Sequence, residues 1–494
     1  MTKETVTPSP LLTRLLKSIS LDANNVSLTP MITDELSIST EEVSLEDRFV
    51  SGLAALLFNI DIGEGRFEKG KVMESVRKID ELVNAQLNAI YHHPTFQHIE
   101  GTWRGIEGLV ESANFRSNIN IELLDVSKDE LMDDFESNSS DVFGGALFEK
   151  VYIAEYDQYG GRPYGCIMGL YEFTSNVRDL FWLRNMGKVA AASHAPFIAS
   201  VKPDFFGCKD AEEVAGLKDL DGLLSQPRYL QWNSLRDSDD SAYVGLVFPR
   251  YVVRLPWNPE TNPSPGLPFR EEASGAHDNY LWGNATLLFA RNLVRSFTQS
   301  GWCQYIRGPK GGGLISDLPV DTFNVRGQDE IRVPVEICIP DYRELEFARN
   351  GIIPLIYRKG SADATFFSCQ AIKRAKKFKD HKDSENAQLV CNLSYTFSIT
   401  RVAHYIKSIM RDNIGDLATA ESISKTLSRW IEQYVTTEVR PDDLTMRTFP
   451  FKAAEVKVDA KPGRLGWYDC RVAILPHIQF EGMDVELRLE SRLG

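Results

Sequence analysis

Apolar residues at Val72, Val76, Ile79, Val83, Leu87 and Ile90 step by three and four, which predicts a long helix with one buried stripe. His93-Pro94 interrupts it, because the residue before a proline is pushed out of the helical region. A second helix is expected next, with Phe96, Ile99, Trp103, Ile106 and Val110 on its apolar face. Asn118 to Val126 alternates as a strand, and Ser137 to Asp141 reads as an exposed loop. Between Val151 and Lys373, runs such as Val151 to Ile153, Tyr243 to Val247, Tyr251 to Arg254, Val333 to Ile339 and Ile352 to Arg358 are interleaved with helical stretches. That alternation predicts a mixed α/β domain. Beyond a basic stretch at 373–387, two helices are expected near 398–412, closed by Gly415, and near 418–435, the second carrying Ile423, Leu427, Trp430, Ile431 and Tyr434; three strands follow. The last of these alternates cleanly, with Val485, Leu487 and Leu489 on one side and Glu486, Arg488 and Glu490 on the other. At the other end, Leu11, Leu12, Leu15, Leu16 and Ile19 gather in a polar segment, as a short amphipathic helix in a tail would. No internal repeat of fixed period is present, which disfavours solenoids and propellers.

Composition narrows the class of protein. A chain of 494 residues buries about three quarters of the surface it exposes when unfolded. Two or three domains are therefore expected, here 1–60, 61–375 and 376–494. With 43% hydrophobic and 25% charged residues the chain reads as globular, and no apolar run has the length of a membrane helix. Met1 to Ser9 lacks the basic start, apolar core and cleavage site of a secretory signal, so a cytoplasmic location is expected. Seven widely spaced cysteines without a Cys-x-x-Cys pair read as reduced, packed thiols. The net charge of −14 argues against a nucleic-acid binder, whose affinity depends on neutralising phosphates. One basic cluster, Lys373, Arg374, Lys376, Lys377, Lys379 and Lys382, reads as a solvated linker or as an anion or partner site.

Several segments have the residue types of chemistry without its spacing. Gly65 to Lys71 has phosphate-loop spacing, but Val72 stands where a Mg²⁺-holding Ser or Thr belongs, and Arg66 and Phe67 crowd the loop. Gly308 to Gly313 includes Pro309, which removes an amide donor, and reads as a tight connection with close backbone packing. His93 and His98 are five apart, whereas zinc ligands on helices favour four. Ser274, His277 and Asp278 lack a Gly-x-Ser-x-Gly elbow and lie too close along the chain for a hydrolytic triad. No catalytic, cofactor or metal site is expected. On the helix near 398–412, Ile399, Val402, Ile406 and Ile409 form one face while Arg401, His404, Lys407 and Arg411 gather opposite. That basic face reads either as solvated surface or as a partner surface.

Aromatic and glycine blocks run in order from Ala89 to Tyr405: Phe96-Gln97-His98-Ile99-Glu100 with Trp103-Arg104-Gly105, Gly160-Gly161-Arg162-Pro163-Tyr164-Gly165, His194-Ala195-Pro196-Phe197-Ile198, Tyr280-Leu281-Trp282-Gly283-Asn284, Gly301-Trp302-Cys303 with Gly308 to Gly313, and Arg401-Val402-Ala403-His404-Tyr405. Their order and spacing resemble the large sheath subunit of bacterial type VI secretion systems, the TssC/VipB family, over roughly residues 45 to 494. The resemblance implies an α+β fold: a contractile tail-sheath-like core of C-terminal helices and strands, plus a large α/β middle domain. It implies a structural protein, not an enzyme, that pairs with a small sheath subunit of the TssB/VipA type. Such heterodimers stack with neighbouring protomers on a baseplate around an Hcp inner tube and contract to propel it.

The family's strand exchange would place Val485, Leu487 and Leu489 between protomers. Arg401, His404, Lys407 and Arg411 would face the tube. A ClpV-type AAA+ unfoldase would read Leu11, Leu12, Leu15 and Ile19, although Arg14 and Lys17 depart from that helix's acidic character. Two alternatives stay open: a sheath of another contractile injection device or phage tail, and a nucleotide-binding enzyme using Gly65 to Lys71.

Overall fold

The computed structural model describes residues 69–139, 141–265, 267–273, 279–325, 328–376, 378–414, 419–438, 440–463 and 467–477. Two compact units divide the chain, residues 1–93 with 256–275, and residues 94–255 with 276–494.

In the first unit, helix α1 (Lys69–Tyr91) is held at its C-terminal end by the segment around Phe269. The Asn88 side chain donates to the Arg270 carbonyl at 3.2 Å and accepts from the Glu272 N–H at 2.8 Å, and Tyr91 stacks on Phe269 with ring centroids 5.3 Å apart. Glu271 accepts the Trp257 N–H at 2.9 Å. Contrary to the sequence expectation, Val76, Ile79 and Ile90 are exposed. Among the described residues of this unit only the 256–273 segment packs on the helix, so its earlier turns stay uncovered.

The second unit opens with α2 (Pro94–Ser112), and here the expected face is inverted. Its buried residues are Gly101, Gly105 and Leu109, while Phe96, Ile99, Trp103 and Val110 are exposed. The cause is close approach: a Cβ on Gly101 would lie 2.9 Å from the Trp282 carbonyl oxygen, and one on Gly105 would lie 2.5 Å from a Leu287 methyl. Residues 118–126, expected as a strand, join no ladder. After α3 (Lys128–Ser137), which starts in a capping box between Ser127 and Glu130, the run containing Val151 to Ile153 is a π-helix, Glu149–Tyr156, and not a strand. Here Phe148, Tyr152 and Tyr156 stack along one side at four-residue spacing, a contact that only a helix provides.

The centre of this unit is a six-stranded sheet. Its strands are β1 (Ile167–Phe173), β2 (Phe197–Val201), β3 (Val244–Phe248), β4 (Leu314–Ile315), β5 (Ile352–Tyr357) and β6 (Ala364–Phe366), in the spatial order β1-β2-β3-β5-β6-β4. The pairs β1-β2, β2-β3 and β3-β5 are parallel; β5-β6 and β6-β4 are antiparallel. Strands buried on both faces read as continuous apolar runs, and β2, β3 and most of β5 are buried throughout. Successive side chains alternate between two cores. Phe197, Ala199, Val201, Val244, Leu246, Phe248, Ile352 and Ile356 face α4 (Val177–Ser193), α6 (Asp341–Arg349) and their neighbours, while Ile198, Val247, Ile353 and Leu355 face α5 (Thr286–Ser300) and the start of α7 (Leu393–Asp412). The expected strand over 333–339 is irregular, with a single bridge from Tyr251 to Val335.

The glycine-rich segment 308–313 folds back on β6. Gly308 donates to the Phe366 carbonyl at 2.7 Å, and a Cβ on Gly313 would lie 2.3 Å from that same oxygen, so no larger residue fits. Of the basic cluster, Lys373 pairs with Asp239 at 2.8 Å and Arg374 forks onto Asp237 at 2.7 and 2.8 Å. These contacts tie that stretch to the segment following the 230–236 helix.

Candidate assembly surfaces

The C-terminal region is built around a hairpin. Helix α8 (Ala420–Glu432) buries Ile423, Leu427 and Ile431, spaced by four, and with Trp430 and Tyr434 it covers one face of the antiparallel pair β7 (Phe451–Ala460) and β8 (Tyr468–Pro476). Cross-strand pairs Ala454–Ile474 and Val456–Val472 lie on the covered face, while Glu455, Lys457 and Arg471 point to solvent. Among the described residues a backbone partner meets the outer edge of β7 at its start, where the Thr436 N–H donates to the Phe451 carbonyl at 2.9 Å. Beyond that point no strand joins either outer edge among the described residues. Among the described residues the hairpin thus presents backbone donors and acceptors along both edges.

The four basic residues of α7 are engaged inside the chain. The Arg401 guanidinium lies 4.5 Å from the Phe297 ring centroid and 4.9 Å from that of Tyr405, and it donates to the Tyr405 hydroxyl at 2.6 Å. His404 Nε2 is 3.0 Å from the Ser193 carbonyl oxygen, at the end of α4, in a cluster with Tyr156 and His194. Burial pushes the His404 imidazole down to about 4, assisted by the neighbouring His194, Arg401 and Lys407; burial, then the Lys407 charge, lowers His194 as well. Both rings are thus neutral at pH 7.

Lys407 reaches Asp157 at 2.6 Å and lies 3.9 Å from the Tyr156 ring centroid. That hydrogen bond holds the Asp157 carboxyl below its ordinary value, and burial raises the Tyr156 phenol to about 12. Arg411 donates to the carbonyls of Tyr156 and Gln158 at 2.8 and 2.6 Å, satisfying acceptors at the C-terminal end of the π-helix. The basic face, read from the sequence as solvated surface or as a partner surface, forms a brace between α7 and the π-helix. On the opposite side Val402 is buried but Ile399 is exposed, so that stripe is only partly covered.

The exposed stripe of α2 is a further surface, with Ile99 at 51% and Trp103 at 61% of full exposure. Sequence reasoning placed these residues inside because large apolar groups at helical spacing normally face a core. The signal for the inversion was the pair Gly101 and Gly105, small residues four apart that allow close packing on their own side. Val485, Leu487, Leu489 and Leu11, Leu12, Leu15, Ile19 lie outside the described residues, as do Gly65 to Glu68 and Ser274, His277 and Asp278. Among the described residues no group of His, Cys, Asp and Glu has metal-site geometry, and no helix is long and apolar enough to cross a membrane.

A doubly covered sheet with a separate helix-backed hairpin defines an α+β protein. The chain belongs to the EvpB/VC_A0108 tail sheath family: the model of the family's N-terminal domain matches residues 73–373, and that of its gpW/gp25-like domain matches residues 382–493. It is a structural subunit of a contractile sheath. It is 38% identical over 430 residues to the type VI secretion system sheath protein TssC1 of Pseudomonas aeruginosa, covering 86% of each chain. Among solved structures it is similar to a chain of the anti-feeding prophage baseplate, at 10% identity and a TM-score of 0.38 over 76% of this chain and 84% of that one. It is also similar to the contracted anti-feeding prophage sheath, at 10% identity and a TM-score of 0.31 over 63% and 67%.

Proposed function

We propose that this chain is the large subunit of a type VI secretion sheath. It co-assembles in the cytoplasm with a small TssB/VipA-type subunit and with neighbouring protomers, on a baseplate and around an Hcp tube that sheath contraction propels. Its work is conformational, a difference between two packings of the same protomers, and needs no catalytic residue. A ClpV-type unfoldase would dismantle the contracted form, with Leu11, Leu12, Leu15 and Ile19 the segment to test for recognition. The division at 61–375 and 376–494 accords with family matches that end at 373 and resume at 382.

The observation that carries the reading is the β7–β8 hairpin. Beyond Phe451 no further strand lies beside either edge among the described residues, and an edge of unpaired backbone groups is a template for one. The alternating segment with Val485, Leu487 and Leu489 has the form to fill that edge in a neighbouring protomer. The exposed aromatic stripe of α2 suits the small subunit, since contiguous apolar patches mark protein contacts. Tube contact by Arg401, His404, Lys407 and Arg411 would have to draw on groups that already brace α7. The experiment is deletion of 484–494 in a strain co-expressing the small subunit, followed by electron microscopy. Long sheaths should vanish while the heterodimer persists; normal sheaths would refute strand linkage.

A further inference from the structure

A cavity of about 200 Å³ lies in the second unit between the end of α2 and the residues after it (Ser112, Asn114), one side of α5 (Arg291, Arg295, Thr298) and Ser316, just beyond β4. A liquid water occupies about 30 Å³, so there is room for a tetrahedral oxyanion with part of its hydration. The cavity is cationic in an otherwise acidic chain. Helix α5 reads TLLFARNLVRSFTQS, with no carboxylate, and places two arginines one turn apart, where like charges repel. Among the described residues neither arginine has a carboxylate within 4.0 Å.

The two guanidinium groups are deployed differently. Arg295 Nη2 donates to Asn292 Oδ1 at 2.7 Å and to the Gly312 and Leu314 carbonyls at 2.6 Å each, which fixes it to the cavity wall. Arg291, half-buried beside it, makes no hydrogen bond among the described residues and keeps its planar fork for a ligand. Arg447, paired with Asp443 at 3.0 Å, adds a third positive charge nearby. Burial and then the charges of Arg291 and Arg447 lower the Arg295 value, as expected of crowded cations lacking an anion. The Ser316 hydroxyl and the Asn114 amide complete the donor lining, while Ser112 and Thr298 donate their hydroxyl protons to the Leu109 and Val294 carbonyls at 2.8 and 2.9 Å.

We propose that this cavity is an oxyanion-binding site in which Arg291 forks onto the anion while Arg295, held by three oxygen acceptors, supplies a fixed positive charge. The oxyanion is either free phosphate or a carboxylate carried in by another copy of this chain, whose net charge of −14 supplies many. The test uses the purified full chain, with its partner subunit if solubility requires it, and inorganic phosphate as probe. Phosphate should bind saturably by titration calorimetry and raise the melting temperature where equal ionic strength of chloride does not, and Arg291→Gln should weaken binding at least tenfold. Because Arg291 makes no hydrogen bond and has no carboxylate partner among the described residues, the variant should melt near the wild-type temperature without phosphate, and Arg291→Lys should retain part of the affinity. If a neighbour's carboxylate is the natural occupant, saturating phosphate and Arg291→Gln should each shorten the assemblies; if free phosphate is, added phosphate should leave their length unchanged or increase it. Absence of saturable phosphate binding, or binding unaffected by Arg291→Gln, overturns the site.

Discussion

The six-stranded sheet and the C-terminal hairpin answer the same problem differently. In the sheet, β2 and β3 have strand neighbours on both sides and helices over both faces, so their backbone groups and side chains are satisfied within one chain. In the hairpin, α8 covers one face, and the edges beyond Phe451 have no strand beside them among the described residues. A region complete in itself keeps its shape under load, whereas one left incomplete can be joined by another chain. The division suits a subunit that must stay folded while its lattice rearranges.

Breaking the first region should have the largest effect. Phe197 is about 1% exposed and touches Phe173 and Trp182, so Phe197→Ala should cost about 3–5 kcal/mol in denaturant titration, with assembly lost only through the fraction unfolded. Acidification comes next. His404 binds its proton in the unfolded chain near pH 6.5 but in the fold only near 4, so its contribution is present above pH 6.5 and is lost as pH falls towards 4, by on the order of 2–3 kcal/mol. His194, also lowered, acts in the same direction. His404→Gln should flatten the fall of melting temperature between those limits; an unchanged profile would show that the ring is not held neutral.

On the hairpin, Val456→Thr with Val472→Thr should cost about 1 kcal/mol or less apiece, since both are only half-buried, yet should shorten assemblies out of proportion. Equal losses of stability and assembly would erase the contrast between the two regions. The smallest effect is expected from Lys407→Met. Its partner Asp157 is half exposed, and removing the pair should cost less than about 1 kcal/mol, measured by denaturant titration at low and high salt.

What could be read from the chain follows the same division. The strands Val244–Phe248 and Ile352–Tyr357 were legible because burial on both faces leaves an unbroken apolar run. β1 was not singled out, since Gly169 and Glu172 interrupt its run and its hydrogen bonds come from a partner thirty residues away. Residues 149–156 have β-branched and aromatic content but fold as a π-helix, because the stacking of Phe148, Tyr152 and Tyr156 outweighs propensity. The basic stripe on α7 was legible as a pattern. Its engagement by Asp157 and the Tyr156 carbonyl was not, as those partners lie about 250 positions away. On α2, two glycines reversed which face is buried, a tertiary effect that periodicity cannot register.

Strand addition to the β7–β8 hairpin is most directly tested by hydrogen exchange of backbone amides over 451–476, compared between the soluble heterodimer and the assembled sheath. Alternate amides along an outer edge should slow at least tenfold on assembly, while amides inside the β7–β8 ladder and in the six-stranded sheet change little. Intact sheaths whose outer-edge amides exchange as fast as those of the free heterodimer would contradict the account.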